Sequence, residues 1–254
     1  MICRLKENVL HRHAINVLIA AKPSSKSWFV GIRDLCLQYR LPHPLELLQS
    51  PPSKDQYKNM VKKRIISYWE IKLREDAASL ESLVYFHPQY MSLTCPHPVW
   101  TTAGSNPYQV VMSTIQASMM TGRYRTEALR SHWSPGNSGY CQAPSCRELY
   151  CHEDLQHILA VCGSLEPTRI RLADFTTKYC QNYPEIQLIT QEYCNPTHAN
   201  FCQFLVDCSA LPTIILAQQR LGPSVHHHLF RITRTWCYCL HKARLQILGR
   251  WIKF

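Results

Sequence analysis

Glycine is scarce here, 8 of 254 residues against 16 prolines. That balance leaves little room for a phosphate-cradling loop, and it favours helices broken by proline turns over a strand-rich sandwich. Other absences remove whole reaction classes. No Gly-x-Ser-x-Gly elbow and no His-Glu-x-x-His pair occurs. A metal-dependent polymerase needs clustered aspartates, yet no Asp-Asp pair is present, and the Pro-Asp dipeptide of one nuclease class is missing too. No run of about 18 apolar residues exists, so no membrane span is expected. The opening MICRLKENVLHRHAINVLIAA is interrupted by Arg4, Lys6, Arg12 and His13, unlike a secretory leader. A nuclear or cytoplasmic location with reduced thiols follows as the expectation.

Acidic residues are the last scarcity. Asp and Glu total 17 against 28 Lys and Arg, for a net charge of +11. After Asp207 no acid remains, while Arg220, Arg231, Arg234, Lys242, Arg244, Arg250 and Lys253 follow. Such asymmetry points to a polyanionic partner, RNA or DNA. A solvated basic face is the alternative.

What the chain does have is cysteine, 13 in all, and hydrophobic residues at 46%, enough for a core. The run CQAPSCRELYCHEDLQHILAVC places Cys141, Cys146, His157 and Cys162 as Cys-x4-Cys-x10-His-x4-Cys. Three thiolates and one imidazole are the ligand set of a closed tetrahedral zinc site with no open position for water. On an ideal helix His157 and Cys162 would sit about 140° apart, so the last turn must loosen for both to reach one ion. Cys151 and His152 are competing ligands. Cys180, Cys194, Cys202 and Cys208 have no ligand spacing and read as buried thiols.

The remaining chain reads as helices: residues 1–22, then a helix from Trp28 stopped by Pro42. Ser53 and Gln56 form a capping box. The helix that they open should bury Tyr57, Met60, Val61, Ile65, Tyr68, Trp69 and Leu73. Asn106 and Pro107 open another, running to about Thr121 with Val111, Ile115, Ser118 and Met119 on one side. In GRYRTEALRSHW, the cations Arg123, Arg125 and Arg130 interleave with rings, Tyr124 foremost, a pattern that suits single-strand contact and equally a loop stacked on its own core. A last long helix should bury Val225, Leu229, Ile232, Trp236, Cys239, Leu240, Ala243 and Ile247. It would present Arg231, Arg234 and Lys242 on the opposite side, to a phosphate backbone or to anionic lipid.

These residues carry a resemblance. SWFVGIRDLCLQYRLPHPLELLQSPPS, KKRIISYWEIKLREDAASLESL, HPVWTTAG, MMTGRYRTEALRSHW and the Cys-Cys-His-Cys positions resemble the carboxyl-terminal region of non-LTR retrotransposon polyproteins. There the region lies downstream of the reverse transcriptase and helps grip template RNA or target DNA. The family's catalytic aspartate motif is absent, and Gln156 stands where an acidic residue often precedes the knuckle histidine. The resemblance therefore implies a non-catalytic remnant.

The expectation is a mainly α, irregular helical assembly with a small embedded zinc knuckle. Its segments are an N-terminal helical segment over 1–52, a basic helical region over 53–135, the knuckle over 136–165 and a C-terminal helical region over 166–254. Cys141, Cys146, His157 and Cys162 bind the metal. Arg123, Tyr124, Arg125, Arg130, Arg231, Arg234 and Lys242 contact nucleic acid, with no membrane and no small-molecule substrate. The rivals are a helical interaction or structural module, and a nuclease using dispersed acids such as Asp174, Glu185, Glu192 and Asp207.

Overall fold

Proline and asparagine punctuation shapes the observed architecture. A computed structural model of the chain describes residues 28–87 and 92–249, with isolated positions 13, 16, 17 and 20. The helix expected over 1–22 otherwise lies outside the described residues, as do Arg250 and Lys253. The protein is mainly helical, and among the described residues the only β pairing is a single antiparallel bridge, Tyr140 to His152. Two compact units are present, residues 1–75 and 76–254.

The first unit contains α1 (Trp28–Gln38), α2 (Pro44–Gln49) and most of α3 (Lys54–Ala78). The Ser53 amide bonds Gln56 Oε1 at 3.0 Å while the Gln56 amide bonds Ser53 Oγ at 3.3 Å, so the capping box forms. The expected inward stripe of α3 does not. No residue of this helix is buried, and Ile65 and Trp69 are more than a third exposed. Its charged residues recur all round the helix, so little amphipathic bias remains to press one face into a core.

The second unit holds α4 (Pro98–Thr101), α5 (Pro107–Met120), α6 (Glu127–Ser131), α7 (Glu166–Cys180), α8 (Pro184–Tyr193), α9 (Phe201–Asp207), α10 (Pro212–Leu221) and α11 (Ser224–Ile247). Asn106 Oδ1 caps α5 by accepting from the amides of Tyr108 and Gln109. Gly122 ends it at φ 66°, where a Cβ would collide with the Ser82 backbone. The buried face of α5 is Met112, Ser113, Gln116, Ala117, Met119 and Met120, and Val111 points outward.

Buried α11 is the axis of this unit, in contact with α4, α5, α7, α8, α9 and α10. Val225, Leu229, Phe230, Ile232, Trp236, Cys237 and Leu240 are all fully buried along it. The expected stripe is thus present and widened by neighbours on several sides, although its members Cys239, Ala243 and Ile247 are only half-buried. The same crowding takes in Arg234, which is 1% exposed. Its guanidinium donates to Ser113 Oγ (2.9 Å), to the Thr102 carbonyl and hydroxyl and to the Phe230 carbonyl, all neutral acceptors. Desolvation lowers its pKa.

Candidate metal centre and the surface around it

The knuckle is built by backbone bonds that bring two loops together. The Cys141 amide donates to the Cys151 carbonyl (2.8 Å) and the Glu153 amide to the Gly139 carbonyl (3.0 Å), clamping both sides of the first loop. A tight turn closes at Ala143, whose carbonyl accepts from the Cys146 and Arg147 amides. Ser145 and Ser164 tie this turn to the second loop through hydroxyls 2.7 Å apart. Residues His157–Val161 form a π-helix, and the Cys162 amide donates to the His157 carbonyl at 2.7 Å. Closing that turn over five residues instead of four is the loosening that the sequence required. It puts His157 and Cys162 on one side.

The ligand atoms of Cys141, Cys146, His157 and Cys162 all lie within 4.8 Å of one another, and all four residues are buried. Metal–sulfur bonds of about 2.3 Å and metal–nitrogen bonds of about 2.0 Å fix the tetrahedral edges: S···S about 3.8 Å, S···N about 3.5 Å. Cys146 Sγ lies 3.8 Å from Cys162 Sγ and 3.5 Å from His157 Nε2. The residues present therefore fit a four-coordinate metal ion, and among the described residues no other group of three or more His, Cys, Asp or Glu does. Hydrogen bonds from Cys141, and then from His157 and Cys146, pull the Cys162 thiol down to about 4, whereas Cys141, the donor to it, is pushed up. The rival ligands stay out: Cys151 Sγ faces the Leu149 carbonyl, and exposed His152 packs on the Tyr140 ring at 5.0 Å.

A buried ionic network couples this centre to α11. Glu153 accepts from both Arg244 and the Glu127 amide, the latter at 2.9 Å. Arg244 also approaches Glu127 Oε1 at 3.6 Å, and Glu127 accepts from Arg130 (3.2 Å) and Asn137 (2.7 Å). Burial opposes the charge of Arg244, but Tyr124 and Glu153 more than offset this and raise its pKa. On the far side, Arg169 donates to the Cys162 carbonyl (2.7 Å) and to Glu166.

The expected strand contacts divide. Arg123, Arg125, Arg231 and Lys242 are exposed. Tyr124 is not: it is 7% exposed, shares a 3.0 Å hydrogen bond with His241 and lies under the Arg244 guanidinium at 5.6 Å. A ring so enclosed cannot stack on a base, so its role as a strand contact is corrected to that of an anchor. Arg234 is corrected likewise, by its burial in the α5–α11 packing. Arg130 is half-buried and committed to Glu127. Of the dispersed acids, Asp207 is buried and bonded to Ser209 Oγ (2.6 Å), with His97 at 3.5 Å. Asp174, Glu185 and Glu192 lie exposed on α7 and α8.

Sequence reasoning missed one feature, the knuckle's outer lip. Leu149 and Tyr150 are 69% and 71% exposed beside exposed Arg147, and the Tyr150 ring meets Tyr140 at 5.8 Å. A signal existed in the sequence, since Tyr140 directly precedes Cys141 and Tyr150 directly precedes Cys151.

No family model matches this chain, and neither a curated protein nor a solved structure matches it. Among the described residues no single helix is long and apolar enough to cross a membrane.

Proposed function

We propose that this protein is a non-catalytic nucleic-acid binder, gripping RNA or DNA beside a structural zinc knuckle, and that it derives from the carboxyl-terminal region of a non-LTR retrotransposon polyprotein. The observation that carries the reading is the convergence of four buried ligand atoms within 4.8 Å of one another, in a knuckle whose chain also presents exposed Arg147, Leu149 and Tyr150 and half-buried Tyr140. Three thiolates and an imidazole favour zinc over harder cations, and such a set leaves no position for catalytic water. The ion's role is to pin the first loop, whose buried side chains are few and small, to the second, which Ile158 and Leu159 anchor in the core. Rings and a guanidinium held on that scaffold suit unpaired bases and phosphate.

Exposed Arg123 and Arg125 add charge close by, since Tyr124 between them is fixed to the network that also holds Glu153. Their contacts with phosphate would be sequence-independent and salt-sensitive. The rival, a helical interaction module, draws on the exposed apolar residues of α3, Ile65, Trp69 and Ile71.

Fluorescence anisotropy with labelled single-stranded RNA and DNA, across a salt series, tests the proposal. Affinity should fall linearly with log salt, and Tyr150→Ala together with Arg147→Ala should weaken it about tenfold to a hundredfold. Absence of measurable affinity at low salt, in protein shown to contain one zinc per chain, would remove nucleic acid as the partner.

A further inference from the structure

The exposed side of α11 repeats one arrangement twice. Arg231, Thr235, Tyr238 and Lys242 follow at steps of four, three and four residues, so they share one face. Arg231 and Lys242 are eleven residues apart, about 16 Å along the axis. At the first position the Arg231 guanidinium rests 5.4 Å from the Tyr179 ring. Tyr179 lies 4.9 Å from Tyr183, whose ring packs on His228 at 3.9 Å. At the second position Lys242 Nζ rests 5.8 Å from the Tyr238 ring, and Tyr238 meets exposed Tyr108 edge-on at 5.4 Å.

Ring contacts hold these two cations in place without neutralising them. Neither has a carboxylate partner among the described residues, and neither α10 nor α11 contains an acidic residue. Glu185 exerts its charge on His228, within the first ring group. A further pair of charges lies near the C-terminal end of the face: Tyr124 is bonded to His241, beside Lys242, and Arg123 and Arg125 flank Tyr124.

We infer that this face of α11 is a strand track for single-stranded nucleic acid, separate from the knuckle lip, with Arg231 and Lys242 on phosphates and the two ring groups as stacking stations. The inference rests on the proposed function and specifies its substrate class. Charge alone would accept duplex equally well. Rings interleaved with the charges favour unpaired bases, whose faces are free to stack. A length of about 16 Å with charges at both ends and beyond suits a segment of about four or more nucleotides.

The test uses the full chain, a labelled 12-nucleotide oligothymidine, the same strand in a duplex, and phosphatidylserine vesicles. Arg231→Ala and Lys242→Ala should each lower single-strand affinity about fivefold to tenfold and shallow the salt slope by about 0.7. Tyr238→Phe should leave it unchanged, whereas Tyr238→Ala should weaken single strand more than duplex. Both charged positions are exposed, and thermal melts confirm that each variant folds. Wild-type slopes in both variants, with oligonucleotide still bound, overturn the track and leave the knuckle reading standing. Equal or tighter binding of duplex overturns it as well, as does a loss confined to vesicle binding. No binding of any oligonucleotide by the parent chain removes both proposals.

Discussion

The knuckle and α11 both drew attention for their residues, and the structure treats them differently. In the knuckle, the four expected residues converge within 4.8 Å of one another, and Cys151 and His152 lie outside that group. Along α11, the apolar stripe is present, but one of three expected surface cations is interior. Convergence on an ion is a restrictive geometric demand, so ligand spacing constrains position tightly. Helical periodicity reveals which side is most apolar and says nothing of how many neighbours pack around the rest. A helix at the centre of a bundle buries polar residues that a surface helix would expose.

The largest effect that would break this contrast is metal loss. If the knuckle is ordered by an ion, chelation or His157→Ala should cost several kcal/mol, because ligand binding free energy is folding free energy. Metal analysis should fall from one zinc per chain to near none, with the melting midpoint of residues 76–254 lowered by well over 10 °C. His152→Ala should change neither. An unchanged midpoint after verified metal removal would mean that packing alone orders these loops.

Next in size is Arg244→Ala, which strands Glu153 in the interior with its main cation gone. A loss of about 3–5 kcal/mol is expected in urea unfolding. Replacing Arg244 and Glu153 together by Met and Leu should recover much of it, since the pair's net worth is small once both are removed. Failure of the double variant to recover would show that the network does more than satisfy itself.

Arg234 and Arg231 sharpen the comparison within one helix turn. Arg234→Ala leaves a void and frees the hydroxyls of Ser113 and Thr102, for about 2–4 kcal/mol. Arg231→Ala, exposed, should stay within about 0.5 kcal/mol while weakening strand binding. Paired melts and anisotropy on the two variants give opposite rankings if the burial assignment is right.

Much of the architecture was readable. Asn106 with Pro107 and Ser53 with Gln56 each mark a helix start found in the structure, because caps act through neighbouring backbone groups. The need for a loosened turn before Cys162 was also visible, and the π-helix supplies it. The inward face of α3 was not, and that of α5 only in part: Met119 is buried and Ile115 packs on the core as expected, while Val111 is exposed. Val111 looks apolar enough for a core, but Gln116 wins the interior by reaching the carbonyls of Leu205 and Val206 and the Thr233 hydroxyl. Those partners are about 90 to 117 residues away, beyond any local pattern. Tyr124 is the same case, its position set by His241 and Arg244.

The smallest expected effect concerns pH and the anchor of Tyr124. Burial, helped by the nearby Arg244 charge, lowers His241 to about 4 in the folded chain. An unfolded histidine titrates near 6.5. Between those values the unfolded chain binds the extra proton, so stability is full above about pH 6.5 and declines as pH falls toward 4. At pH 5.5 the loss, reduced by solvent screening of this half-buried ring, should be about 1 kcal/mol. His241→Gln, which keeps a polar partner for the Tyr124 hydroxyl but cannot titrate, should flatten that part of the profile. Because acid also protonates the knuckle ligands, urea unfolding is compared at fixed zinc between pH 5.5 and 7.5, where the two chains differ only in this histidine. Superimposable profiles for the variant and its parent would mean that His241 is solvated, and that Tyr124 is held by Arg244 alone.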